Sequence, residues 1–205
     1  MARKTDLKKP APMAYVFMGR SGSGKGTQVA MLKDYFARHD MPFLHIETGA
    51  FLRAYAKGDS YVQKIVKRLI EAGNLAPDPV IIGLWINYII EHFTGTEQLI
   101  FDGAPRKLVE AVFLDSTMKF LEIANYKILN IEVSRASATA RLTARARSDD
   151  IPSAIENRMN WFDKDVVPAL EFFRTNKDCV VLDIDGEQTP DAVDADLMHK
   201  LGFSK

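Results

Sequence analysis

Ala14-Tyr15-Val16-Phe17-Met18-Gly19-Arg20-Ser21-Gly22-Ser23-Gly24-Lys25-Gly26-Thr27-Gln28 is the stretch on which the fold turns. Its first five residues are apolar and short enough for a buried strand, and glycines recur at 19, 22, 24 and 26. Beyond it Val29, Ala30, Leu32, Tyr35 and Phe36 fall at helical spacing. Strand, glycine loop and helix in that order make a phosphate-binding loop. The glycines let backbone amides close around an anion, and the helix N-terminus adds a favourable dipole. Lys25 is placed to meet the outer phosphates as a point charge. A mere Gly/Ser linker would not come with the flanking strand and helix.

Reading outward, short apolar runs near residues 14–18, 43–46, 98–102, 126–132 and 179–184 alternate with helical patterns. That alternation predicts an α/β fold, a five-stranded parallel sheet with helices on both faces. Ligands of such sheets bind at the carboxyl ends of the strands. The polar segments at Gly19–Thr27, Thr48 and Asp102–Arg106 all fall there. Trp85 and Trp161 lie in helical apolar patterns and are expected in the core, with Leu84, Trp85 and Ile89 spaced as a buried stripe.

The general phosphate loop ends Gly-Lys-Ser/Thr, whereas here Gly26 intervenes and the hydroxyl comes at Thr27. The ending Gly24-Lys25-Gly26-Thr27-Gln28 resembles the adenylate kinase and nucleoside monophosphate kinase family. Further blocks follow in that family's order. His45-Ile46-Glu47-Thr48-Gly49-Ala50-Phe51-Leu52-Arg53 is similar to its acceptor-binding segment, and Ala72-Gly73-Asn74-Leu75-Ala76-Pro77-Asp78-Pro79 to the stretch closing that insertion. Asp102-Gly103-Ala104-Pro105-Arg106 resembles its Asp-Gly-Phe-Pro-Arg. Arg147-Ser148-Asp149-Asp150 with Arg158 is similar to its lid exit, and Asp183-Ile184-Asp185-Gly186 to its last strand and turn.

The resemblance implies a P-loop nucleoside triphosphate hydrolase type of fold over residues 14–205, after a tail at 1–13. It also implies an acceptor-binding insertion at 47–76 and a short lid at 141–150. It implies transfer of the terminal phosphoryl group of ATP to a nucleoside monophosphate, AMP being the expected acceptor. Such catalysis is mostly positioning and charge stabilisation, so cations must surround the transferred group.

By resemblance Lys25, Arg106, Arg141, Arg145, Arg147 and Arg158 are catalytic. Gly22, Ser23, Gly24, Lys25, Gly26 and Thr27 hold ATP, with Arg141, Arg145 and the backbone at Gln188. Thr48, Gly49, Arg53, Asn74, Leu75, Ala76, Gly103, Ala104, Pro105, Arg106, Glu110, Arg147 and Arg158 form the AMP side. Asp102 is expected to orient the water shell of Mg2+. Asp149 and Asp150 resemble paired aspartates that position lid arginines, and also suit a helix N-cap ahead of Pro152.

Some positions depart from the family's pattern. Glu47 stands where serine is usual, Ala50 where aspartate is usual, and Glu110 where adenylate kinases place a glutamine reading the adenine edge. A carboxylate only accepts, which suits guanine's donors better than adenine N1. Thr48 favours AMP, since pyrimidine kinases of the family carry alanine there. The alternatives are therefore a kinase of GMP, UMP or CMP, or a non-catalytic nucleotide sensor. Glu110 could instead turn away and pair with Lys107. Only Ala146 separates Arg145 from Arg147, so the lid is shorter than the family's short form.

The 205 residues suit one compact domain. Lys+Arg and Asp+Glu balance at 27 each, giving no global signal for nucleic acid or an anionic membrane. The one cysteine, Cys179, excludes an internal disulfide and is expected to be an inert buried residue; the four histidines show no ligand spacing. No apolar run reaches a membrane span. A cytoplasmic monomer working on nucleotides is the expectation.

Overall fold

Alternate residues of the first strand feed two different cores, and that divides the molecule into layers. Ala14, Val16 and Met18 pack in one apolar cluster, Tyr15 and Phe17 in another. A strand buried on both faces must be covered on both by helices.

The structure is a computed structural model that describes residues 11–145, 147 and 150–203. Its elements begin with β1 (Ala14–Met18), α1 (Lys25–Arg38), β2 (Phe43–Glu47), α2 (Thr48–Tyr55), α3 (Tyr61–Glu71) and α4 (Asp78–His92). There follow β3 (Gln98–Asp102), α5 (Leu108–Phe120), β4 (Tyr126–Glu132), α6 (Arg135–Arg145) and α7 (Pro152–Trp161). A π-helical turn (Phe162–Val166), α8 (Val167–Thr175), β5 (Cys179–Asp185) and α9 (Pro190–Leu201) complete the chain. The strands form one parallel sheet in the order β2-β3-β1-β4-β5. The fold class expected from the alternating pattern is thus present, and β2 and β5 each run one residue further than expected.

One face of the sheet is covered by α4, α5 and α8, the other by α1 and α9. Trp85 is the largest wholly enclosed side chain, its ring edge-on to Phe101 with centroids 5.8 Å apart. Truncating such a ring would cost about 3–5 kcal/mol. The stripe expected around it is Ile81, Trp85 and Ile89, while Leu84 is only half-buried. Cys179 is buried, and burial pushes its thiol up to about 11, as an inert thiol requires.

The order of chain begins before the expected boundary. Met13 O accepts from Leu99 N–H at 2.8 Å, and Gln98 Nε2 donates to Ala11 O at 3.2 Å. Ala11 and Met13 are therefore tied to β3; residues 1–10 lie outside the described residues. No helix among the described residues is long and apolar enough to cross a membrane.

Candidate active site

The loop between β1 and α1 can close only with glycine at its hinges. Gly19 has φ +132°, and a Cβ there would stand 2.3 Å from Ile131 O on the neighbouring strand. Gly24, at φ +96°, caps α1 without a side chain, and Lys25, Gly26 and Thr27 of its first turn line the cleft. Inside the loop the Lys25 ammonium donates to Arg20 O at 2.7 Å and Gly19 O at 2.8 Å. Burial lowers its pKa to about 8; Asp102 opposes that shift, and Arg106 and Arg145 reinforce it. A lysine held like this gains from any anion brought beside it.

The next strand over supplies the opposite wall. In the parallel register Phe17 and Glu47 both pair with Asp102, so the ends of β1, β2 and β3 lie level. Thr48 donates its hydroxyl to Asp102 O at 2.9 Å, which locks the start of α2 onto the end of β3. Arg53 reaches Glu47 at 3.2 Å, which gives Glu47 a local partner. Arg106 folds back so that Nε donates to Gly103 O at 2.6 Å, with its guanidinium 5.4 Å from the Trp161 ring centroid. Burial lowers its pKa, and Glu110 and Asp102 work against that fall.

The third wall is a set of arginines gathered by one carboxylate. Asp150 accepts two parallel bonds from Arg145, both 2.8 Å, and a third from Arg158 Nη1 at 2.6 Å. Arg147 N–H reaches the same carboxylate at 3.2 Å, and Asp150 N–H returns to Arg147 O. Burial would raise the Asp150 pKa, yet hydrogen bonds from Arg145 and Arg158 hold it down to about 2. The helix-cap role expected here is not taken up by Asp150: Ile151 precedes α7 and no side chain caps it. Asp149, Ser148 and Ala146 lie outside the described residues. Arg141 and Arg145 stand in the final turns of α6, so the expected lid at 141–150 begins inside a helix. Arg141 donates to Gly186 O at 2.9 Å.

These walls enclose a cleft of about 750 Å³. Gly22, Gly24, Lys25, Gly26 and Thr27 line its loop side, and Gly49, Arg53, Asn74 and Ala76 its α2–α3 side. Asp102, Gly103, Pro105 and Arg106 form the floor, and Arg141, Arg145, Arg147 and Arg158 the remaining flank. Ser23, Thr48, Leu75, Ala104, Glu110 and Gln188 are not among the lining residues. Ser23, Thr48 and Ala104 are buried just behind the wall.

Glu110 was expected to face an acceptor base or to pair with Lys107, and it does neither. Its carboxylate accepts from Arg106 N–H at 2.7 Å and is buried, which raises its pKa. The cause is local: a carboxylate three residues into a helix reaches back to an amide that lacks a partner. Lys107 instead bridges to Asp78 at 2.7 Å, tying α5 to α4. Gln188 is exposed and turns its amide toward Asp185, at 3.4–3.5 Å.

Trp161, expected in the core, is a wall residue as well. It is half-buried, lines the cleft, and its indole N–H donates to Gly73 O at 3.0 Å. Its place three residues after Arg158 on a helix puts both on one face, a spacing visible in the sequence. Lys33, His45 and Glu47 also line the cleft. For His45 and Glu47 the signal was strand alternation, which sets residues 45 and 47 on the same side. Lys33 had no such signal.

Comparison with known proteins agrees with this geometry. Residues 17–178 match the family model described as adenylate kinase. The chain is similar to a protein named adenylate kinase from Leptospira biflexa, 32% identical over 78% of this chain and 84% of that protein. It is also similar to an adenylate kinase from Cyanothece sp., 31% identical over 90% of this chain and 92% of the relative. An adenylate kinase from Xylella fastidiosa is 28% identical over 93% of this chain and its own full length. Phosphate loop, level strand ends, arginine wall and these matches lead to one conclusion: the chain belongs to the adenylate kinase family.

Proposed function

We propose that this chain transfers the terminal phosphoryl group of ATP reversibly to AMP, giving two ADP. The observation that carries the reading is convergence on one cleft of the Lys25 loop, the Asp102–Arg106 loop, Arg53 and Arg158. One triphosphate site would not need cations on three walls. Two phosphate-bearing ligands meeting end to end do.

In this reading the loop amides and Lys25 hold the outer phosphates of ATP. Arg53 and Arg106 hold the phosphate of AMP, and the flat face of Trp161 keeps the Arg106 guanidinium aimed. Arg141, Arg145, Arg147 and Arg158 surround the moving group, where charge spread over its oxygens must be met by fixed cations. Asp150 orients two of them at once, as a positioning residue rather than a participant. The in-line geometry then does most of the work, since the chemistry needs little beyond alignment and charge.

Among the described residues no three His, Cys, Asp or Glu side chains gather into a cage for a metal. A metal here would take most of its ligands from phosphate and water, which is how magnesium binds. Asp102, at a strand end in the cleft, and the Thr27 hydroxyl fit that demand. Bound with ATP, magnesium would neutralise phosphate charge.

The test is a coupled assay of ADP formation from ATP across AMP, GMP, CMP and UMP. The highest kcat/KM is expected with AMP. Preference for another acceptor would overturn the AMP assignment, and silence with all four would overturn phosphotransfer.

A further inference from the structure

Arg20 lies in the phosphate loop, yet nothing in the transfer chemistry above gives its side chain a task. Its guanidinium leaves the cleft, donates from Nη2 to Asp163 at 2.6 Å, and lies 4.4 Å over the Phe162 ring. Nη1 is buried with no acceptor. A buried cationic N–H without a partner carries a cost that a neutral side chain would avoid, so its retention asks for a reason. Stability is a poor one, because the Asp163 side chain is 50% exposed and pairs of that kind contribute little.

Two connections give a better reason. The first runs inward. The main-chain carbonyl of Arg20 accepts from the Lys25 ammonium at 2.7 Å and from Ser23 N–H at 3.0 Å. Whatever fixes Arg20 therefore fixes the peptide that holds Lys25. The second runs outward. Phe162 and Asp163 open the π-helical turn that directly follows α7, the helix carrying Arg158 and Trp161. Such turns are uncommon and cluster at functional sites, because the widened turn re-aims side chains. Here Trp161 points to Gly73 while the next two residues grip Arg20. Arg135 approaches Asp163 at 3.7 Å and also binds Glu156 and Asn160, so the grip is braced from α6.

We infer that Arg20 is a positioning residue: with Asp163 and Phe162 it forms a strut that sets the spacing between Lys25 and Arg158. The inference rests on the phosphotransfer reading of the cleft. Lys25 sits on the donor loop and Arg158 on a separate helix, and the transferred group must be met by both. A displacement on the order of 1 Å between such groups costs roughly 100-fold in rate.

The experiment is a double-mutant cycle with Arg20→Ala, Asp163→Ala and the pair combined, reading kcat for ADP formation and, separately, ATP affinity by calorimetry. Each single variant is expected to lose about tenfold or more in kcat while ATP affinity changes less than threefold. The combined variant should lose no more than the worse single one, because either change already removes the strut. Asp163→Asn, which keeps the shape and one acceptor, should recover part of the loss. Normal kcat in Arg20→Ala, or losses that multiply in the combined variant, would overturn the inference. So would a fall in ATP affinity confined to Arg20→Ala, which would make Arg20 a nucleotide contact instead. Wild-type protein is the control that separates the two readings: inactive wild type refutes phosphotransfer, whereas active wild type with an indifferent Arg20 refutes only the strut.

Discussion

The phosphate end of the cleft and the end expected to read bases differ in how their side chains are held. Around the phosphate end, Lys25, Arg53, Arg106 and Arg147 project into the cleft, and Arg145 and Arg158 are aimed there by Asp150. At the base end, Thr48 donates to Asp102 O, Glu110 accepts from Arg106 N–H, and Gln188 turns to Asp185. The cations too are hydrogen-bonded within the protein, but their residues line the cleft. The cleft surface thus carries fixed charge and loop backbone, while Thr48, Glu110 and Gln188 are not among its lining residues.

The sharpest way to break that contrast is at Lys25. Lys25→Ala should lower kcat by roughly 10²–10³-fold, the scale of removing one preorganised charge-stabilising donor. Its thermal midpoint should change little, because below pH 8 the cost of burying the charge offsets the hydrogen bonds to Gly19 O and Arg20 O. The same value gives a pH test. Below about pH 8 the ammonium is already charged, and above it binding must take up a proton. Wild-type ATP affinity should therefore fall by about tenfold per pH unit above 8, and Lys25→Ala should show no such limb. Near-normal turnover in the variant would remove the loop from the chemistry.

A smaller effect is expected at Asp150. Asp150→Asn weakens the aim of Arg145 and Arg158 and should cost roughly tenfold in kcat, more than in KM for either nucleotide. It should also cost about 2 kcal/mol of stability at neutral pH, from the lowered carboxyl pKa. The sign is set by that depression: the contribution is complete above the ordinary carboxylate range and is lost as pH falls toward 2. Chemical denaturation from pH 5 to pH 2 should show wild type converging on the variant. Parallel curves would mean that Asp150 is not held as described.

The smallest effect is expected at Glu110. A glutamine there can still accept from Arg106 N–H, so Glu110→Gln should leave the AMP-to-GMP ratio of kcat/KM within about threefold. A tenfold rise with AMP would place this side chain against the base after all.

The two ends also differed in what the sequence disclosed. All five strands, the loop and the cations of the cleft other than Lys33 were legible, because apolar runs and contiguous motifs fix them locally. The core position of Trp85 was legible for the same reason. Trp161 was not, since a helical apolar pattern does not say whether a ring meets the core or a cleft, and Gly73 O and Arg106 decide that from distant segments. The turning of Glu110 onto Arg106 N–H depends on an unpaired amide, which a residue list does not display. Nor did the sequence show that Arg20 leaves its own loop, since its partner Asp163 lies 143 positions away.

The central claim is that the array of cations on the three walls serves transfer of a phosphoryl group between nucleotides rather than to water. The stoichiometry of ATP consumption with AMP present tests it most directly. Two ADP formed per ATP consumed, with free phosphate at background, is the expected result. One ADP and one phosphate per ATP, unchanged by AMP, would contradict it.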